Sequence, residues 1–251
     1  MLFLVGTGIS EDGMTIEGIQ ACKVSNDVFI DVYTSSISES KIKNIESLIN
    51  KNIKKLSRQD LEEHIDQLIS KKQDITILVG GDPLIATTHK IIFLTASKLN
   101  ISIKVIHSSS IISAIMGESG LDFYRFGRIV TIARWSEHYK PISFYDTIKK
   151  NMDNNLHTIL LLDYDQKESS SIPINEAIKY MEYAESVHKF GIINDSTKII
   201  IIEQLSQNDE YRAFLNIKDA RTLNKLKGMR TIVIPAKLSE IEQEMVKVIY
   251  G

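Results

Sequence analysis

The chain has 251 residues, 43% of them hydrophobic and 25% charged, with a formal net charge of −2. That is enough chain for one large domain or two smaller ones, each with a buried core, and it lacks the basic excess that general nucleic-acid binding needs. Cys22 is the single cysteine, which excludes a disulfide framework and a thiolate metal cage and fits a reducing cytoplasm.

The apolar start MLFLV is cut off by Gly6, too soon for a signal-peptide core or a membrane span, so a cytoplasmic protein without membrane contact is expected. Residues 2–5 read as a buried strand, 14–25 as a helix, 28–33 as a strand and 38–50 as a helix. Ser57-x-x-Asp60 is a capping pattern opening a third helix, with Leu61, Ile65, Leu68 and Ile69 on one face. Strand 75–79, a helix at about 87–99 and strand 101–106 follow. The alternation implies a mostly parallel sheet covered by helices. In the second half, 128–133, 156–165, 198–205 and 230–236 read as strands. Helices at about 142–152, 175–189 and 239–250 surround them, the last opened by Ser239-x-x-Glu242. Small residues and the Gly117/Gly120 break place a junction near residue 112. The expected fold class is α/β, with one α/β domain at 1–112, a second at 113–251 and a cleft between them.

"GTGISEDGMT" (6–15) follows the first strand, where a phosphate loop would sit. It fails the dinucleotide fingerprint, because Glu11 stands where the third glycine belongs. It fails the P-loop pattern too, because Met14 and Thr15 replace Lys-Ser/Thr. Open parallel sheets nonetheless bind ligands at the carboxyl ends of their strands. Two such ends, 6–9 and 80–85, carry glycines and few large side chains. That lining suits a ligand read by backbone groups, such as an adenosine without phosphates. Asp82 either meets such a ligand or holds its own turn or the next helix. The six histidines show no metal-ligand spacing, so no metal is expected. His64 lies off the apolar stripe of its helix, as a surface residue would, and the serines at 108–110 read as a compact loop. Asp163 caps a turn or helix, or faces the cleft. The stretch 125–140 mixes Arg125, Arg128, Arg134 and Lys140 with Phe126, Trp135 and Tyr139. It is either a protein-docking surface or a partly solvated loop and strand.

In order, the motifs "LFLVGTGI" (2–9), "MTIEGI" (14–19), "YTS" (33–35), "SRQDLE" (57–62), "GDPLIATTH" (81–89) and "IHSSSIISA" (106–114) resemble the diphthine synthase family. "GLDFYRFG" (120–127), "PISFYD" (141–146), "LHTILLLD" (156–163) and "IVIPAKL" (232–238) continue the likeness. That family belongs to the S-adenosylmethionine-dependent methyltransferases of the tetrapyrrole-methylase type. The resemblance implies two α/β domains, a homodimer, and S-adenosylmethionine bound in the cleft with S-adenosylhomocysteine as product and no metal. It implies elongation factor 2 as protein substrate, methylated on the amino group of a histidine carrying a 3-amino-3-carboxypropyl chain. Carried over residue by residue, it puts donor contacts at Ile9, Asp82, Ile85, Ser110, Ile111, Leu162, Leu205 and Arg230. Leu205 and Arg230 depart from the alanine and histidine common in relatives, which matters only if those contacts run through side chains. Transfer from a sulfonium needs alignment and exclusion of water more than a base. His89, His107 and Asp163 are the candidates for one, and none is assigned as catalytic. The rival readings are a methyltransferase of the same fold acting on a tetrapyrrole or RNA, and a non-catalytic donor- or nucleotide-binding regulator.

Overall fold

Short, β-branched runs that end on glycine or on turn residues make the first sheet. In the computed structural model, which describes residues 1–33, 37–70, 73–165, 167–223 and 228–251, its strands are β1 (Leu2–Gly6), β2 (Asp27–Asp31), β3 (Ile53–Leu56), β4 (Ile75–Val79) and β5 (Ile103–Ile106). They pair in the order β3-β2-β4-β1-β5, and every ladder is parallel. This sheet belongs to the first of two units, Met1–Ser113; the second is Ala114–Gly251. Of the motif "YTS", Thr34 and Ser35 lie outside the described residues.

Around the sheet run α1 (Ile16–Val24), α2 (Glu39–Ile49), α3 (Arg58–Glu62), α4 (Ile65–Ile69) and α5 (Lys90–Lys98), with α6 (Ile111–Glu118) crossing into the second unit. Side chains alternate between faces along a strand. Leu2, Leu4, Phe29, Ile75, Ile77 and Val79 therefore pack against α3, α4 and α5, while Val5, Val28, Ile30 and Leu78 pack against α1 and α2. Both faces are covered, which is why the strands read as near-continuous apolar runs.

Ser38 caps α2, and a Ser57/Asp60 capping box opens α3, as the spacing predicts. The single helix expected after Ser57 is instead two. The amides of Glu63 and His64 both donate to the Gln59 carbonyl, at 2.9 and 3.2 Å. The extra residue in that turn ends α3 and leaves His64 half-buried at the start of α4. β3 is an addition: its middle residues, Lys54 and Lys55, point to solvent from an edge strand, so it carries no apolar alternation.

In the second unit β6 (Val130–Ile132), β7 (Thr158–Leu162), β10 (Lys198–Glu203), β11 (Tyr211–Asn216) and β12 (Arg230–Ile234) pair in the order β11-β10-β12-β7-β6. Only β6–β7 is parallel. β8 (Tyr164–Asp165) and β9 (Ser170–Ser171) form a small hairpin, so the strand expected over 156–165 is two. The helices are α7 (Ser143–Asp153), α8 (Ile174–His188), α9 (Ile217–Ala220) and α10 (Glu240–Tyr250). Ile132, Leu160, Ile199, Ile201 and Ile232 make a core with Phe144 and Ile148 of α7 and Ile178 and Met181 of α8.

A polar knot fixes the end of the chain. Glu242 completes the Ser239 capping box of α10 and is buried. It accepts from the amides of Asp122 (3.0 Å) and Ser239 (2.7 Å), from His157 Nε2 (2.8 Å) and from Arg125 Nη1. The amide of Ala236 donates to His157 Nδ1 at 2.9 Å, so the buried ring is neutral with its proton on Nε2. Arg125 Nη2 also donates to the Lys237 carbonyl at 2.7 Å. Among the described residues, no helix is long and apolar enough to cross a membrane.

This knot makes the fold acid-sensitive, with two groups acting in the same direction. Burial holds His157 below its ordinary 6.5, so the unfolded chain takes up that proton first and stability falls below pH about 6.5. Burial alone would raise Glu242, but the Asp122 and Ser239 amides and His157 bring it from 4.5 down to about 2. Its contribution is complete above pH about 4.5 and is lost as pH falls toward 2. Thermal midpoints measured from about pH 8 to about pH 3 should fall over both windows. Glu242→Ala, which leaves Arg125 with its charge unpaired, should cost about 3 kcal/mol in urea unfolding near pH 7.

Candidate functional site

β4, β1 and β5 lie side by side, and each ends in one of the motifs singled out above. Thr7 N donates to the Val79 carbonyl (2.8 Å). Beyond it, Gly8 and Gly81 exchange two backbone hydrogen bonds, Gly8 N to Gly81 O at 3.1 Å and Gly81 N to Gly8 O at 3.2 Å. Both glycines have positive φ, 69° and 68°, a region that costs other residues roughly 1–2 kcal/mol. Gly6 is needed for a different reason: a Cβ there would lie 2.5 Å from the Gly81 carbonyl oxygen and 3.0 Å from Pro83 Cδ.

The serine loop after β5 closes on the same place. Ile9 N donates to Ser109 Oγ (3.1 Å), and Ser108 Oγ donates to the Gly13 carbonyl (2.9 Å). Ser110 Oγ accepts from Ile112 N at the start of α6 (3.2 Å). Each hydroxyl serves the loop, as a compact turn requires, rather than a nucleophile.

The topology explains why a ligand would settle here. From β1 the chain turns to α1 on one face, and from the adjacent β4 it turns to α5 on the other. Loops that part on opposite faces leave a crevice at the carboxyl ends of the strands. Its floor is glycine backbone, and the loop sequences 6–15 and 80–86 contain no lysine or arginine.

Asp82 holds its own turn. Its Oδ1 accepts from Leu84 N (3.0 Å), and its Oδ2 faces His107 Nδ1 (2.7 Å) and Ser108 N (3.4 Å). The carboxylate is 6% exposed, while the His107 side chain is 65% exposed. Ile85 stands out into solvent beside it, and Ala86 has φ of 54°, a strained value for a residue with a Cβ. Ile9 and Ile111 are half-buried and Ser110 is buried. These five residues of the first unit converge on the three loops.

Leu162, Leu205 and Arg230 belong to the second unit, and all three are buried. Arg230 is paired through Nε with Glu203 (2.9 Å), and its Nη1 donates to Ser170 Oγ (2.8 Å) and the Ser171 carbonyl (2.7 Å). The guanidinium is committed to pinning the β8–β9 hairpin, and the backbone amide of Arg230 joins it, donating to Ser171 Oγ at 3.1 Å.

The candidate bases fare unequally. His89 is buried, with Nε2 3.0 Å from Asp31 Oδ2 and Nδ1 bonded to Thr87 Oγ1. Both ring nitrogens face the protein, which makes the ring a strut between β2 and the start of α5. Asp163 caps neither a helix nor its own turn: its Oδ2 accepts from Arg134 N at 3.1 Å, tying the end of β7 to the segment after β6. The stretch 125–140 is more structural than a docking surface requires. Arg125 belongs to the Glu242 knot, and Trp135 stacks on Tyr180 at 3.9 Å. Charge reversal at Arg125 would therefore break the fold rather than report on docking.

Sequence reading passes over Lys41, which is buried against the first glycine loop. The available signal is positional: it lies on the face of α2 that buries Ile42, Ile45 and Ile49. A cavity of about 620 Å³ opens at the amino ends of the strands around Asp74 and Asn100. It lacks converging turns and glycines, so chemistry rather than volume selects the crevice. Among the described residues, no group of three His, Cys, Asp or Glu side chains is placed to hold a metal.

A family model described as tetrapyrrole (corrin/porphyrin) methylases matches residues 1–220, and the chain belongs to that family. It is 33% identical over 252 residues to the diphthine synthase of Methanocaldococcus jannaschii, covering 98% of each chain. It is also 33% identical to that of Methanothermobacter thermautotrophicus, over 100% of this chain and 96% of the relative. A solved diphthine synthase structure matches with a TM-score of 0.86 and 26% identity, over 99% of this chain and 95% of that one. A structure from Entamoeba histolytica matches with a TM-score of 0.89 and 31% identity, over 100% and 98%. Within its family the chain groups with the diphthine synthases.

The packing at Gly6 can be checked directly. Gly6→Ala should destabilise by about 1–3 kcal/mol in urea unfolding, since the methyl overpacks the Gly81 turn. Gly117→Ala, where a Cβ meets nothing within 4 Å, is the control and should be neutral or stabilising. Equal effects would contradict the close approach at Gly6.

Proposed function

We propose that this chain is an S-adenosylmethionine-dependent methyltransferase that makes diphthine. Its acceptor is the amino group of the 3-amino-3-carboxypropyl chain on a histidine of translation elongation factor 2, methylated three times. The single observation that carries the donor site is the Gly8–Gly81 bridge at the switch point of the parallel sheet. A Cβ at Gly81 would meet only the Ser109 carbonyl, at 3.8 Å, so a ligand can come close there, and the two loops carry no phosphate-neutralising lysine of their own, which fits adenosine on a sulfonium rather than on a polyphosphate. The acceptor follows from whole-length similarity to proteins named diphthine synthase. A homodimer working in the cytoplasm belongs to the same reading.

The donor supplies an activated methyl group when bound. The chain's own task is to align amine, methyl and sulfur and to keep water out. Backbone at 8–10 and 80–82 would meet the polar parts of the donor, Ile9 and Ile85 would shield its apolar surface, and Asp82 would set a negative charge near the sulfonium and ammonium. The attacking amine must be neutral, and no side chain is assigned as the base that deprotonates it.

Intact-mass measurement of elongation factor 2 bearing the aminocarboxypropyl histidine, incubated with this protein and donor, should show a ladder ending at three added methyls. No mass gain despite donor binding would move the acceptor to a tetrapyrrole or RNA, and donor binding without consumption by any of them would indicate a regulator. Asp82→Asn keeps an oxygen for Leu84 N but removes the charge. It should weaken S-adenosylhomocysteine binding about tenfold, or ~1.4 kcal/mol, by calorimetry. An unchanged affinity would leave Asp82 the turn alone.

A further inference from the structure

Lys41 stands in the first turn of α2 and is 5% exposed. A buried ammonium ordinarily finds a carboxylate; this one finds carbonyls. Its Nζ donates to Gly8 O at 2.9 Å and to Ser10 O at 2.6 Å. Those carbonyls flank Ile9, whose amide is already held by Ser109 Oγ. Gly8 O also accepts from Gly81 N. The segment 8–10 is thus fixed from three directions, by the β4 turn, the β5 loop and α2, and only the last grip carries a charge.

We propose that Lys41 is a positioning residue of the donor site, holding 8–10 in the binding conformation through charge-assisted bonds to the carbonyls on either side of Ile9. The inference rests on the donor site proposed above. Its charge is sensitive to pH. Burial lowers the ammonium from 10.5 to about 8, with Glu11 and Asp12 pulling the other way. Glu39, on the same turn of α2, is paired with Lys55. Glu11 accepts from Ser38 Oγ (2.6 Å) and Ser40 Oγ (3.3 Å), which keeps its field close to the lysine.

The sign of the linkage separates this role from a merely structural one. Between pH about 8 and 10.5 the unfolded chain binds the Lys41 proton more tightly than the folded one. Rising pH therefore does not cost stability through this group. Donor affinity should fall over a window in which Lys41 itself does not weaken the fold.

Calorimetry with S-adenosylhomocysteine on wild type, Lys41→Met and Lys41→Arg, at about pH 7 and about pH 9.5, tests this. Urea unfolding is run in parallel. Near pH 7 Lys41→Met should bind about tenfold more weakly than wild type, and near pH 9.5 the ratio should shrink to about two- to threefold. Titration of the ligand's own amino group is common to both proteins and cancels. Lys41→Arg, which stays charged, should lose less affinity than wild type over the same rise; if Lys41→Met does not fold, this comparison carries the test alone. Equal affinities near pH 7, or ratios that do not change with pH, would overturn the proposal. No binding by wild type at either pH would overturn the donor site on which it rests.

Discussion

Two hydrogen bonds between Gly8 and Gly81 carry more of this molecule's organisation than their number suggests. They join the ends of adjacent parallel strands where the chain departs toward opposite faces of the sheet. A side chain on Gly6 would push against the Gly81 carbonyl, and a Cβ on Gly8 or Gly81 would be strained by the positive φ. Once the bridge is made, the other parts have fixed places: the serine loop closes on Ile9 and Gly13, the Asp82 turn closes on His107, and Lys41 closes on the carbonyls either side of Ile9. The lining is then almost all backbone and carries few charges.

The second unit solves a different problem. Its sheet is mostly antiparallel, and its isoleucine-rich strands β10 and β12 need little help to bury themselves. What needs help is the polar material around them. Glu242 gathers the chain at Asp122, Arg125, His157 and Ser239, and Arg230 gathers β8–β9 against Glu203. Buried ionic groups of this kind add less to stability than to uniqueness of arrangement, since removing either partner strands the other. Arg125, which looks in sequence like a handle for a partner, is in the fold a strut.

That contrast marks what sequence could reveal. The apolar strands and the Ser38, Ser57 and Ser239 caps are local patterns, and they appear where periodicity and spacing place them. β3 escaped because an edge strand with Lys54 and Lys55 facing water has no alternation to detect. β11 escaped because its polar and aromatic residues are paired only to β10. The break between α3 and α4 depends on one shared carbonyl at Gln59, which no propensity encodes. The glycine turns and Asp82 were legible because their residue types are rare and clustered. Lys41 was not, because a lysine in a helix reads as surface until the fold shows what stands opposite. The commitments of Arg125 and His89 depend on contacts more than fifty residues away in the chain, beyond the reach of local pattern.

Cys22 has a practical side. The chain has one thiol; it is fully enclosed between α1 and the sheet, and burial raises it to about 12. A thiol that is neither exposed nor ionised is a poor nucleophile. To maleimides the native surface is therefore blank. A cysteine introduced at an exposed position such as Ile85 or Tyr124 would be the one reactive handle, ready for a fluorophore or spin label without first removing a native residue.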